Sequence, residues 1–308
     1  MHGEGDALWR HLSNAQRLME MRKYSAALEE LERAMACNSR DATVYRLYSG
    51  CLLQMRRPRD AMPAVRRALE LDPEDPDNFH SLALISQDLN RYQEAEAAFI
   101  QAIQRAPYWA HYHSNYARLL CVRGDYERAI EEAREAVRLD PGMAHAFEML
   151  SWAEMQLGHW ESARVHCLEG LRLEPESAHG HNNLGVWHMA HGDAEGAHRE
   201  FAEALRILPG MKVAQDNAIR SLQARHPLFA LAWKFSAALL HLPSRWREFA
   251  LLCCMLVAWV AGELTSWLIG GSAGELIGSA VTLVLVLVLL FLLRGQRLFV
   301  WLMRKGIV

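Results

Sequence analysis

Nothing in this 308-residue sequence has the spacing of a catalytic or metal centre. It has no glycine-rich phosphate loop, no HExxH helix and no nucleophile elbow, which removes the commonest routes to nucleotide, zinc-protease and hydrolase chemistry. Cysteine is scarce. Cys37, Cys51, Cys121, Cys167, Cys253 and Cys254 form no CxxC pair and fit neither zinc nor disulfide spacing, so they read as small buried residues in a reducing compartment. A net charge of -3 leaves no basic excess to attract nucleic acid. The opening Met1-His2-Gly3-Glu4-Gly5-Asp6 is polar, with no signal-peptide core, so the N-terminal region is expected to stay in the cytosol.

Proline is sparse too, and its placement is informative. Five of the ten prolines, Pro73, Pro107, Pro141, Pro175 and Pro209, are 34 residues apart, with Ser39 one period earlier. A strict period means an array of small units, 8–41, 42–75, 76–109, 110–143, 144–177 and 178–211, and not a compact catalytic fold. Small residues recur in phase as Ala27, Ala61, Ala95, Ala129, Ala163 and Ala197, and again as Ala34, Ala68, Ala102, Ala136, Gly170 and Ala204. Large-then-small pairs recur earlier in each unit, as in Tyr48-Ser49, Leu82-Ala83, Tyr116-Ala117, Leu150-Ser151 and Leu184-Gly185. Gly124, Gly158 and Gly192 mark a turn that needs a left-handed residue, followed by Tyr24, Tyr92, Tyr126 or Trp160.

On these residues the chain resembles the tetratricopeptide repeat, whose units are antiparallel helical hairpins that stack. Three units depart from the family by carrying His11, His113 and His181 at the usual first-helix aromatic. The resemblance implies an all-α solenoid: a tail over 1–7, six hairpins over 8–211 forming a right-handed superhelix, and a capping helix over 212–225. The likeness covers about two-thirds of the sequence. It implies protein binding and no enzyme activity.

Beyond residue 226 the solvent changes. Phe249 to Ile269 would span about 31 Å as a helix, close to the roughly 30 Å hydrocarbon core. Leu276 to Leu293 comes next, uncharged, after a turn built on Gly270, Gly271 and Gly274. A two-helix transmembrane hairpin over 248–293 is the expectation. Arg245 and Arg247 precede it, while Arg294, Arg297, Arg304 and Lys305 lie beyond it, so the repeats and both termini should be cytoplasmic. The implied location is a membrane, with the bacterial inner membrane as the resemblance's reading. Segments 226–247 and 294–308 read as interfacial, with a third span over 227–242 as the alternative. Glu263, inside the first span, is either an interhelical or ion-path group or a carboxylate reaching the outer headgroups.

The candidate binding surface is the inner, first-helix face. His80, Gln87, Arg118, Glu148, Trp152 and Asn182 phase onto it, with Met155 and Met189. His111, His145 and His179 share one repeat position, and Asn115, Asn183 and Asn217 another. An amide donates and accepts at once, so those asparagines suit an extended peptide, although asparagine is also common there in the repeat consensus. Trp152 with Met155 and Met189 is either an apolar anchor or interhelical packing. Equivalent histidines of adjacent repeats stand too far apart for one metal, and His188, His191 and His198 are the nearest thing to a cluster; no metal or cofactor is expected. The basic clamp for C-terminal carboxylates is missing, since its positions hold Arg46, Gly50 and Ser81. The expectation is therefore a membrane-anchored adaptor that captures a protein segment. The rivals are a subunit of a larger membrane complex, for secretion, transport or envelope biogenesis, and a sensor whose hairpin self-associates in the bilayer.

Overall fold

The computed structural model describes residues 2–225, which form thirteen α-helices. The expected membrane hairpin, with Glu263, Gly270, Gly271 and Gly274, and the flanks 226–247 and 294–308 lie outside the described residues. Among the described residues no helix is long and apolar enough to cross a membrane. The chain divides into two compact units after Glu174.

The first unit holds five hairpins: α1 (His2–Glu20) with α2 (Tyr24–Cys37), α3 (Ala42–Gln54) with α4 (Pro58–Leu71), α5 (Pro76–Asp88) with α6 (Tyr92–Arg105), α7 (Ala110–Arg123) with α8 (Tyr126–Leu139), and α9 (Ala144–Gln156) with α10 (Trp160–Leu173). The second holds α11 (Ala178–Ala190), α12 (Ala194–Ile207) and α13 (Lys212–Arg225), with α13 packed on both of its predecessors. The polar N-terminal residues are helical from His2 onward, continuous with α1.

Each hairpin closes on alanine. Ala27, Ala61, Ala95 and Ala129 are fully buried, as are Ala34, Ala68, Ala102 and Ala136, because a side chain longer than a methyl group would hold the helices apart. Larger residues fill the space between hairpins: Leu31, Val44, Val65 and Ile85 in one cluster, Phe99, Tyr116, Leu120 and Phe147 in the next. Phe201 forms the centre of the second unit's core. Gly185 faces it so closely that an added Cβ would stand 2.5 Å from the ring.

The period acts through the backbone. Asp72 and Asp140, each just before a periodic proline, are extended with φ near -140° and -139°, where the proline ring forces its predecessor. Asn38, before Ser39, takes the same conformation without a proline (φ -147°), so packing also holds this bend. The hairpin turn is equally regular. Gly124, Gly158 and Gly192 have φ of 81°, 79° and 78°, and the equivalent Arg22, Arg56 and Asn90 have 57°, 60° and 59°. All six turns are left-handed, although only three carry glycine.

Candidate functional site

The first helices of the first unit present a connected set of polar groups. Asp75 caps α5 by accepting from the Asp77 amide at 2.9 Å. Arg46 reaches over from α3 to both acids, at 3.8 Å from Asp75 and 3.5 Å from Asp77, so its charge is already committed. From α7, the Tyr112 hydroxyl donates to Asp77 at 2.6 Å. Burial, reinforced by the Asp77 bond, holds that phenol well above the usual tyrosine range. One turn along α5 is His80, whose Nε2 lies 3.1 Å from Asn115 Nδ2. The second amide hydrogen of Asn115 goes to the His111 carbonyl at 2.9 Å, leaving its Oδ1 to accept.

Burial, with the charge of His111 adding to it, pushes His80 down to about 3. It is neutral at physiological pH and accepts at Nε2, so its proton sits on Nδ1. His111 is also held below the usual histidine range by burial, against the pull of Asp77. Its ring stands edge-on to Tyr112 at 4.3 Å and to the exposed Trp109 at 5.3 Å. An aromatic platform thus opens at the start of α7.

Arg118 lies two turns further along α7. It is half-buried, and burial lowers its pKa while Asp88 raises it from a distance. Among the described residues no carboxylate comes within ion-pair range of it. By contrast Arg46, Arg105, Arg128, Arg134 and Arg138 of the same unit each face one. Just beyond is an open cleft of about 440 Å³, lined by Arg56, Pro58, Gln87, Asp88, Asn90, Tyr92 and Val122. The buried Gln87 Oε1 has no hydrogen-bond donor.

On α9, His145 Nδ1 is 3.5 Å from the buried Glu148. Trp152 is half-buried against the core and Met155 is buried. In the second unit, Asn217 donates to the buried Asn182 at 3.1 Å, His179 is exposed, Asn183 is half-buried and Met189 packs on the core. The structure thus brings His80, His111 and Asn115 together, aligns Arg118 and Gln87 beyond them, and pairs Asn182 with Asn217 separately. His188, His191 and His198 bond to Asp193, the Trp187 carbonyl and Ser221 respectively. Among the described residues no group of three His, Cys, Asp or Glu side chains could hold a metal.

Comparison with known proteins agrees with this architecture. A tetratricopeptide repeat model matches residues 81–144 and 148–212, and a model of anaphase-promoting complex, cyclosome, subunit 3 matches 20–102. This is a tetratricopeptide repeat protein. As such it is a protein-interaction scaffold of a generally non-catalytic family. Among solved structures, it resembles one described as the functional characterization of Pseudomonas aeruginosa pilF, at 15% identity and a TM-score of 0.59 over 73% of this chain and 100% of that one. The Cut9–Hcn1 hetero-tetramer structure of the APC/C is similar at 16% identity and a TM-score of 0.61, over 93% of this chain and 55% of that one. These likenesses concern the fold alone. No curated protein matches the sequence.

In this tetratricopeptide protein, the three units lacking the first-helix aromatic share a replacement that the repeat spacing alone did not reveal. His11 Nδ1 meets Glu30, His113 meets Glu132 and His181 meets Glu200, each at 2.7 Å and each 19 residues along. In two of them the other nitrogen, Nε2, contacts the periodic proline's carbonyl, Pro107 at 3.0 Å and Pro175 at 3.1 Å. A carbonyl and a carboxylate only accept, so both ring nitrogens must carry hydrogen and the ring is an imidazolium. Burial opposes the charge on His113, but the Glu132 bond, the Pro107 carbonyl and the charges of Glu132 and Glu135 outweigh it and raise the pKa. For His181 the Glu200 bond is the largest influence, also upward. The signal was present in the sequence. Where the first position is Tyr45 or Phe79, the second is Ala64 or Ala98, and where it is histidine, the second is glutamate.

Proposed function

We propose that this protein is a membrane-anchored adaptor that holds an extended segment of a partner protein on the first-helix face of its repeats. The observation that carries the reading is the pair of open valences along α7, the Asn115 Oδ1 and the Arg118 guanidinium, beside the Trp109–His111 platform. Outer-face arginines and glutamates, in contrast, satisfy one another at short helical spacing, as in Arg138–Glu135 and Arg172–Glu169. The membrane anchor rests on the two apolar runs within 248–293, with cytoplasmic repeats and termini inferred from the basic residues that flank them.

A photo-crosslinking side chain placed at His111 of the full-length protein in its membrane should yield a discrete adduct, and the same group at the outer Glu131 should not. Equal labelling from both positions would refute the groove. Deleting 248–293 should release the protein from carbonate-washed membranes. The second reading, a subunit of a larger membrane complex, draws on the match of residues 20–102 to a complex-subunit model. Mild detergent extraction separates the two, because a subunit emerges with stoichiometric companions and an adaptor emerges alone or as a small oligomer.

A further inference from the structure

Resting on that binding face, we infer that the captured segment places an Asp or Glu side chain on Arg118, in the interior of the segment and not at its C-terminus. The cation is taken partly out of water without an internal counter-charge, an arrangement that is costly until an anion arrives. Asp88, the acid whose charge raises its pKa, makes no ion pair with it and has Arg56 Nη1 at 4.0 Å. His80, on the facing helix, is neutral and supplies no anion. A planar guanidinium takes a carboxylate through two parallel bonds, which fits a single acidic side chain. A phosphate dianion or polyanion fits poorly, because it would bring more than one negative charge to a single free guanidinium, the neighbouring Arg46 being already committed to Asp75 and Asp77.

Groups able to hold a main chain lie on both sides of Arg118. Toward the start of α7 are the Asn115 Oδ1, which accepts a peptide N–H, and the exposed edge of Trp109. Toward its end is the open cleft, whose polar lining includes Asp88 and Asn90. From His111 to Arg118 is about 10 Å along the helix, or three to four residues of extended peptide. A segment that uses both sides must continue past the arginine, which is why its acid belongs to an internal residue.

The test is a display selection of random segments, roughly 12 residues long and tethered at both ends, against the full-length protein in detergent. Enriched segments should carry Asp or Glu at one fixed position. Changing that acid to its amide should weaken binding by about tenfold or more in the natural protein and by little in Arg118→Gln. Arg118→Lys should restore binding in part. Thermal melts of both variants check that they fold, since Arg118 makes no internal ion pair. If segments bind and Asn115→Ala weakens them, but the acid and amide forms bind alike, the inference is overturned and the binding face stands. If the enriched segments, made as free peptides ending at the acid, bind through the terminal carboxylate better than through the internal side chain, the inference is overturned as well. If no segment binds in a manner sensitive to Asn115→Ala or His111→Ala, the binding face itself falls, and the inference with it.

Discussion

The histidine–glutamate pairs make stability depend on pH in a direction opposite to most acid-sensitive proteins. His113 and His181 are raised above the ordinary histidine value near 6.5. A raised folded-state pKa contributes stability that is fully present below the unfolded value and is lost as pH climbs through the folded one. The loss therefore begins near pH 6.5 and is complete once pH has passed the raised folded-state value, when Nε2 or Nδ1 must give up its hydrogen and leave an acceptor facing an acceptor. The His113 and Glu132 side chains are 8% and 27% exposed, and those of His181 and Glu200 17% and 24%, so solvent screens these bonds only in part. A charged hydrogen bond of this kind is worth about 2 kcal/mol. Glu132→Gln at pH 6 should thus lower the melting temperature by about 4–8 °C for a repeat region of this size, and by much less at pH 9. Thermal melts of the full-length chain across that range, monitored by circular dichroism, provide the measurement. The decisive control imports the pairing of a neighbouring unit: His113→Phe with Glu132→Ala copies Phe79 and Ala98. With the same change at His181 and Glu200, the alkaline loss should largely vanish. A pH profile that survives both replacements, or stability that rises between pH 6.5 and 9, would refute the imidazolium assignment.

Backbone and packing give two further predictions. Arg22→Gly and Arg56→Gly should each stabilise the fold by about 1 kcal/mol, because both residues hold a left-handed conformation that their equivalents Gly124, Gly158 and Gly192 adopt without strain; a lower denaturation midpoint in both would count against the turn assignment. Gly185→Ala should destabilise the second unit by about 1–3 kcal/mol, because its Cβ would press against the buried Phe201 ring, and Phe201→Leu in the same chain should recover part of the loss.

Much of the hairpin pattern could be read from single residues. The buried alanines and the periodic prolines act within one unit, so their identity and spacing declare the hairpin before any contact is known. The turns were only half legible. Glycine signals a left-handed residue, whereas Arg22, Arg56 and Asn90 adopt that geometry because the hairpins on either side require it. Taken alone, the histidines at the aromatic position are departures from the repeat pattern, and only the glutamate 19 residues on explains them. Met155 phases onto the same helix face as the candidate groove residues, yet packing buries it, while Trp152 is half-buried against the core.

What the sequence by itself determined is the repeat: a 34-residue period, helices of fixed length, and which positions must be small. These come from local sterics, in which proline, glycine and alanine act on their immediate neighbours. What only the tertiary structure decided is how polar groups meet between hairpins. Tyr112 with Asp77, Asn115 with His80 and Asn217 with Asn182 are each 35 residues apart, one period plus one residue. That offset is set by how one first helix rests on the next. It also leaves Arg118 without a carboxylate among the described residues, because an unmet charge is a property of the stacked assembly and not of the residue that bears it.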